Sequence, residues 1–213
     1  MMSSTTDVMS SQLQRAANSN NQRRYREMGR IDCSDDMLFE KTVSKETKFT
    51  GRVFEVEVKT ITTPEGATSH REIVKHHGGA SILPVDSELN CYFVKQFRSP
   101  FETVMTEAPA GKIEPGEEPI ACAAREITEE TGFTAGKIEY VGKMAATPGY
   151  CSEIINLYIA TDLHFTGGTP DENEYLRTVK CPLKSALEMA ESGKIEDAKT
   201  LVLIYKAARR FGI

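Results

Sequence analysis

The sequence predicts an α+β fold, because strand-like stretches alternate with a small number of helical ones. Apolar and polar residues alternate over 51–59, which is typical of a half-buried strand. Apolar residues at helical spacing occupy 119–131, and a second helical region follows residue 183. A chain of 213 residues with 39% hydrophobic and 27% charged residues has a globular composition. Its length suits one domain, or one domain with a small appendage.

Residues 1–38 are predicted to form a flexible N-terminal tail. They are rich in Ser, Thr, Asn, Gln and Arg and poor in bulky apolar side chains. A transit peptide would share the Arg and Ser content, although Asp7 and Glu27 interrupt that pattern. No apolar run approaches the roughly 18 residues that a membrane span needs, so we expect no membrane association.

Residues 39–78 are predicted to form a small antiparallel β subdomain. The strand at 51–59 is followed by a turn, Thr63 to Gly66, and by a returning strand at 71–75. A sheet of this size is too small to be stable alone. It must therefore pack on the main domain or on a second subunit.

Residues 79–213 are predicted to form the main domain. A polar, acidic loop covers 166–174, and the C-terminal helices break at Ser192–Gly193 and restart at Asp197. The predicted strands of this domain lie at 80–85, 91–97, 138–144, 154–160 and 175–181.

The helix at 119–131 has clear boundaries. Pro119 suits the first helical position and Gly132 suits the position after the last turn. The predicted buried stripe consists of Ile120, Ala123, Ala124 and Ile127.

Glu126, Glu129 and Glu130 fall together on a neighbouring face of that helix. Like charges at this spacing repel by roughly 0.2–0.5 kcal/mol per pair, and acids in a last turn oppose the helix dipole. A solvated acidic face is the ordinary explanation of such a cluster. A divalent cation would relieve both violations, and carboxylate oxygens suit Mg²⁺ or Mn²⁺.

The residues before the helix decide between these explanations. From Gly111 to Phe133 the chain fits G-x5-E-x7-R-E-U-x-E-E-x-G-U at every position, with U a bulky apolar residue. A chance match is on the order of one in a hundred million per window. The stretch resembles the Nudix box, the metal-binding loop–helix–loop of hydrolases that cleave nucleoside diphosphates linked to another group.

Segments outside the box are similar to the ADP-ribose pyrophosphatases of that family. They are Q-F-R at 96–98, E-A-P-A-G-K at 107–112, Pro148 sixteen residues after Gly132, and S-G-K-I-E-D-A-K-T at 192–200. The resemblance implies an α/β/α sandwich with a mixed sheet, whose small N-terminal sheet is exchanged in a homodimer. It also implies Mg²⁺-dependent hydrolysis of ADP-ribose, or of a related nucleoside diphosphate sugar, to AMP and ribose 5-phosphate.

The resemblance also implies roles for the box residues. Glu126 and Glu130 are the expected metal ligands, with Glu129 as a third that bridges or orients a metal-bound water. The carbonyl of Ala110 is an implied backbone ligand.

Four further box residues are expected to shape the site. Arg125 is expected to hold Glu117 in a buried structural ion pair. Gly111 and Gly132 are expected to allow backbone turns that a Cβ would hinder.

Substrate contacts are expected from Arg98 and Glu107. The guanidinium fork of Arg98 suits phosphate or ribose oxygens, although a strand-end arginine is also an ordinary surface residue. Glu107 is a candidate for binding a ribose hydroxyl or a metal-bound water.

The general base is expected to come from a later loop. Glu153 is the first candidate because it follows a P-G-x-x-S segment that resembles one form of the family's loop. Glu174, in the acidic loop with Glu172, is the second, since mobile loops commonly complete a site.

Composition limits the partners and the compartment. A net charge of −5 argues against nucleic-acid binding. The resemblance implies that the ligand is a small nucleoside diphosphate sugar. Five scattered cysteines without C-x-x-C spacing indicate reduced thiols in the cytoplasm. The four histidines show no metal-ligand pattern and are interpreted as structural or surface residues.

Two alternatives to ADP-ribose hydrolysis stay open. The same reaction on GDP-mannose, NADH or a dinucleoside polyphosphate would use the same box. A non-catalytic sensor would bind ADP-ribose and regulate a partner protein.

Overall fold

The computed structural model describes residues 38–168 and 175–213. Two compact units are distinguished by their internal contacts. The described residues of the first are 38–41 and 61–69, and those of the second are 42–60, 70–168 and 175–213. The predicted flexible tail, and the loop tip with Glu172 and Glu174, lie outside the described residues. The domain boundaries after residues 38 and 78 stay a prediction.

The N-terminal sheet has three strands in the order β1-β2-β3: β1 Lys41–Thr50, β2 Phe54–Thr62 and β3 Thr68–His76. The predicted pair of strands is present. The N–H of Gly51 donates to the Phe54 carbonyl at 2.9 Å and makes a turn there, so β2 starts only at Phe54. The sequence pattern does not predict β1, since all ten of its residues are exposed and no alternation marks it.

Two further sheets make up the rest of the described β structure. A mixed sheet has the order β7-β4-β9-β8, in which β4 runs parallel to β9 and the other neighbours are antiparallel. An antiparallel sheet has the order β10-β5-β6. The strands are β4 Gly79–Pro84, β5 Asn90–Arg98, β6 Thr103–Glu107, β7 Ala110–Lys112, β8 Phe133–Ala145, β9 Ile154–Phe165 and β10 Leu176–Pro182. The sequence pattern does not predict β6 and β7, which are short.

The described helices are α1 Pro119–Thr131, α2 Leu183–Glu191 and α3 Ala198–Phe211. The predicted bounds of α1 are confirmed, and Gly132 ends it in the left-handed conformation with φ 76°. Asp197 caps α3 by accepting a hydrogen bond from the Thr200 N–H at 2.9 Å. No helix within the described ranges is long and apolar enough to cross a membrane.

The mixed sheet is covered on both faces. Alternate residues of β4 and β9 belong to two different core clusters: Leu83 and Ile159 pack with residues of α2 and α3, whereas Ile82 and Tyr158 pack with residues of α1. This arrangement confirms the predicted α+β class and mixed-sheet sandwich. Exchange of the N-terminal sheet between subunits stays a prediction.

The predicted buried stripe of α1 is wrong at two positions. Ile120, expected in the core, is 48% exposed, and Ala124 is only half-buried. The buried face is instead centred on Ala123 and Ile127 and includes Glu126 and Glu130. These two glutamates therefore lie on the inner side of the helix, which argues against a merely solvated acidic face.

Candidate active site

β7 and α1 hold predicted metal-binding residues against each other. A Cβ on Gly111 would overlap the Glu126 carboxylate, so that carboxylate lies directly against the backbone of β7. The Ala110 N–H donates to Oε2 of Glu130 at 3.1 Å. Residue 111 must therefore lack a side chain for close approach, and Ala110, Glu126 and Glu130 form one group.

Arg125 connects the loop of the box to its helix. Its Nε donates to Oε1 of Glu117 at 3.0 Å, the contact that the sequence predicts. Its Nη1 also donates to Glu126 at 2.7 Å and to Glu129 at 2.8 Å, which the sequence does not predict. The Arg125 side chain is 28% exposed, so these ion pairs are half-buried rather than buried.

The pKa values of this group follow from the pairing. The hydrogen bond to Glu117 raises the pKa of Arg125; burial opposes the shift, and attraction by Glu126 adds to it. The same bond lowers the pKa of Glu117, with help from the backbone hydrogen bond with Glu114. The Arg125–Glu117 pair therefore stays charged at neutral pH.

The donor set fits a hard divalent cation, since it consists of carboxylate and carbonyl oxygens. Glu126 also reaches the β7 backbone only because residue 111 has no Cβ. Within residues 38–168 and 175–213, no three His, Cys, Asp or Glu side chains are grouped as a ready metal site. The guanidinium of Arg125 bonds both Glu126 and Glu129 and so holds these two carboxylates on the same side of α1.

A cavity of about 490 Å³ brings several other predicted residues together. Its walls come from β5, β7, the end of α1, the loop before β9 and the start of α3. The predicted residues that line it are Arg98, Ala110, Gly111, Glu130 and Glu153, and Gln96, His76, Asp197 and Lys199 line it as well.

The remaining box residues line neighbouring cavities. Glu126 and Arg125 line one that shares Ala110 and Gly111 with the main cavity. Glu129 lines another, together with Glu130 and Gly132. The main cavity therefore shares wall residues with the cavity that Glu126 lines and with the cavity that Glu129 lines.

Arg98 and Glu107 form a two-pronged ion pair beside the main cavity. Nε and Nη2 of Arg98 donate to the two oxygens of Glu107 at 2.6 and 2.8 Å. Glu107 is 2% exposed and also accepts from Nζ of Lys199 at 2.5 Å. Burial raises the pKa of Glu107, but the bonds from Arg98 and the charge of Lys199 outweigh burial and lower that pKa to about 2.

Glu153, which also lines the cavity, lies next to His76. Nδ1 of His76 is 3.3 Å from Oε1 of Glu153 and accepts the Gly78 N–H at 3.0 Å. The backbone N–H of His76 donates to the hydroxyl of Ser152 at 3.0 Å. The end of β3 therefore fixes the loop that bears Glu153. Glu174 lies outside the described residues.

The sequence patterns do not identify His76, Asp197 and Lys199 as residues of the site. They mark His76 as structural or surface, and Asp197 only as a helix start. The contact between Glu107 and Lys199 joins positions 92 residues apart, and no local pattern marks such a pair. The one available signal is the similarity of segment 192–200 to the family.

Comparison with known proteins agrees with this geometry. Residues 75–208 match the NUDIX domain family. The chain is 41% identical over 169 residues to an ADP-ribose pyrophosphatase of Bacillus subtilis, covering 78% of this chain and 91% of that protein. It is 37% identical over 167 residues to a methanol dehydrogenase activator of Bacillus methanolicus, covering 78% and 90%.

A solved structure shares the fold. The crystal structure of an ADP compounds hydrolase matches with a TM-score of 0.73 and 23% identity, covering 82% of this chain and 96% of that one. At that identity the match establishes architecture alone. Because the family match spans more than half of the chain, and the fold and the box agree with it, the chain belongs to the NUDIX domain family.

Proposed function

We propose that this protein hydrolyses the pyrophosphate of ADP-ribose, or of a related nucleoside diphosphate sugar, to AMP and ribose 5-phosphate. The observation that carries the proposal is the single cavity lined by Ala110, Glu130, Arg98 and Glu153. Box residues, a guanidinium and a candidate base meet there, as cleavage of a doubly charged anhydride requires. The named activity of the Bacillus subtilis relative supports the same substrate.

Hydrolases of this family generally use divalent metal ions, and for this chain we propose Mg²⁺, with Mn²⁺ as an alternative. Glu126, Glu129, Glu130 and the Ala110 carbonyl would hold the ion. When bound, such an ion neutralises phosphoryl oxygens and lowers the pKa of a coordinated water. Because Arg125 contacts Glu126 and Glu129, it keeps these carboxylates near each other despite their repulsion.

Glu153 is the proposed general base. It lines the main cavity, and its side chain is partly buried beside His76. A carboxylate held in this way can accept a proton from an attacking water. Glu174 stays the second candidate.

Arg98 is the proposed phosphate or ribose contact. Its bonds to Glu107 use Nε and Nη2, and no acceptor within the described residues bonds Nη1. The N–H donors of Nη1 are therefore available to an oxyanion. Glu107, which Arg98 and Lys199 both engage, is proposed to act on a ribose hydroxyl or a water beside that pair.

We propose a homodimer in the cytoplasm as the working form. Val43, Phe49 and Phe54 of the N-terminal sheet are exposed, and apolar groups on a small sheet need a covering surface. The four cysteines within the described residues are free thiols, as expected in a reducing compartment.

The test is product analysis after incubation with Mg²⁺ and ADP-ribose, ADP-glucose, GDP-mannose, NADH or diadenosine polyphosphates. We expect AMP plus ribose 5-phosphate from ADP-ribose at the highest kcat/KM. Faster turnover of another compound would be consistent with the proposed metal site but would refute ADP-ribose as the substrate. No turnover of any compound, with ADP-ribose still bound, would favour the sensor alternative.

The sensor alternative has one specific observation in its favour. One relative at 37% identity carries the name of an activator of another enzyme. All four glutamates of the box signature are present here, however, and binding without hydrolysis does not require the full set. The catalytic role is therefore the better supported of the two.

A further inference from the structure

The start of α3 contributes a buried cation to the main cavity. Lys199 is 8% exposed, yet it lines the same cavity as Arg98. Its Nζ donates to Oε2 of Glu107 at 2.5 Å and to Oδ1 of Asp197 at 2.9 Å. Since two of its three N–H donors are committed to carboxylates, Lys199 is held in one position.

Asp197 anchors this cation to the helix. Its other oxygen, Oδ2, accepts from the N–H and the hydroxyl of Thr200 at 2.9 and 2.5 Å. The Thr200 hydroxyl oxygen in turn accepts the Ala108 N–H at 2.7 Å. The first turn of α3 therefore holds the end of β6 at two neighbouring residues, Glu107 by its side chain and Ala108 by its backbone.

The four charged side chains form an alternating series. Arg98, Glu107, Lys199 and Asp197 are joined in that order by ion pairs of 2.6, 2.5 and 2.9 Å. Two cations balance two anions, so the series carries no net charge. Arg98 is its most exposed member, with 38% of the side chain accessible, and is the member proposed to meet the substrate's charged oxygens.

We propose that Lys199 is a positioning residue, which sets the affinity for the substrate by holding the Glu107 carboxylate that orients the Arg98 fork. The inference rests on the proposed function, since it assigns Arg98 to an oxyanion of the substrate. Without Lys199, the Glu107 side chain loses its anchor on α3. The Arg98 fork then samples orientations that do not face the cavity.

The expected kinetic signature is a change in affinity more than in chemistry, because the hydrogen bonds and ion pairs of Lys199 do not include the box glutamates. In Lys199→Met, we expect KM for ADP-ribose to rise about tenfold and kcat to stay within about threefold. Lys194→Met is the matched control, since Lys194 is exposed shortly before α3, and it should leave both constants unchanged.

A double-mutant cycle separates positioning from direct contact with the substrate. If Lys199 acts through Arg98, then Lys199→Met should change KM by less than about twofold in an Arg98→Ala background. An additive effect, as expected from direct contact between Lys199 and substrate, would overturn the inference. So would an unchanged KM in the single variant, with only a lowered melting temperature.

Lys199→Gln replaces Lys199→Met in the same cycle if the methionine variant does not fold, because glutamine keeps an N–H donor but not the charge. Binding of an ADP-ribose analogue with a methylene bridge, measured by calorimetry, gives the same cycle without turnover. A wild type that binds this analogue but hydrolyses nothing would refute the proposed function while the cycle still tests Lys199. A wild type that does not bind it would refute both.

Discussion

At the scale of single residues, the three proposed metal-binding glutamates of α1 differ in how deeply they are buried. Glu126 and Glu130 are buried, the first against β7, whereas Glu129 is partly exposed beside Arg125. All three lie on one helix, but only the first two pack into the protein. Substitution of Glu129 should therefore disturb function more than stability.

We expect Glu129→Gln to fold normally and to lose about a hundredfold in kcat, because the proposed metal ligand loses its charge. Steady-state turnover of ADP-ribose at saturating Mg²⁺ measures the loss, and a thermal melt checks the fold. Glu118→Gln is the control, since Glu118 is exposed and its side chain makes no helix-cap hydrogen bond. Near wild-type turnover in Glu129→Gln would refute the proposal that Glu129 is a metal ligand.

Glu107 is expected to lower the free energy of unfolding as the solution becomes acidic. Its folded pKa of about 2 lies below its usual 4.5, so folding favours the charged form. That contribution is complete above the unfolded pKa and is lost as the pH falls toward 2, by on the order of 3 kcal/mol. Urea unfolding of the wild type and of Glu107→Gln, followed from neutral to acid pH, tests this. Parallel pH dependences in the two proteins would contradict it.

At the scale of elements, the short strand β7 determines how the box helix is seated. The Cβ that Gly111→Ala adds would overlap the Glu126 carboxylate, so that carboxylate must move. We expect a lower affinity for Mg²⁺ and about a tenfold loss of kcat/KM. Gly149→Ala is the stability control, because nothing lies within 4 Å of its added Cβ. Unchanged activity in Gly111→Ala would show that Glu126 does not need its contact with β7.

The elements also show what the sequence could and could not predict. Pro119 and Gly132 fix the ends of α1, since their local effects on backbone geometry do not depend on the rest of the chain. The face that α1 buries depends on its partners in β4 and β9, and the pattern placed Ile120 in the core wrongly. Long-range pairs such as Glu107 and Lys199 leave no periodic mark at all.

At the scale of the whole molecule, the proposed homodimer predicts a particular mass in solution. Light scattering should give a mass near twice the 23.6 kDa of one chain. The double variant Phe49→Ser, Phe54→Ser should have a lower mass, because these rings pack together at 5.8 Å on an exposed surface. A wild-type mass of one chain would refute the dimer.

The position of β1 at the edge of its described sheet has a consequence for the protein in concentrated solution. An edge strand offers backbone groups that can recruit further strands into fibrous aggregates. β1 carries three lysines and one glutamate. Lys45 and Lys48 are well exposed, although each is paired with a glutamate, and the net positive charge of the strand would repel a second copy stacked edge to edge. We therefore expect the strand to resist open-ended polymerisation, most strongly at low ionic strength, where dissolved ions screen these charges least.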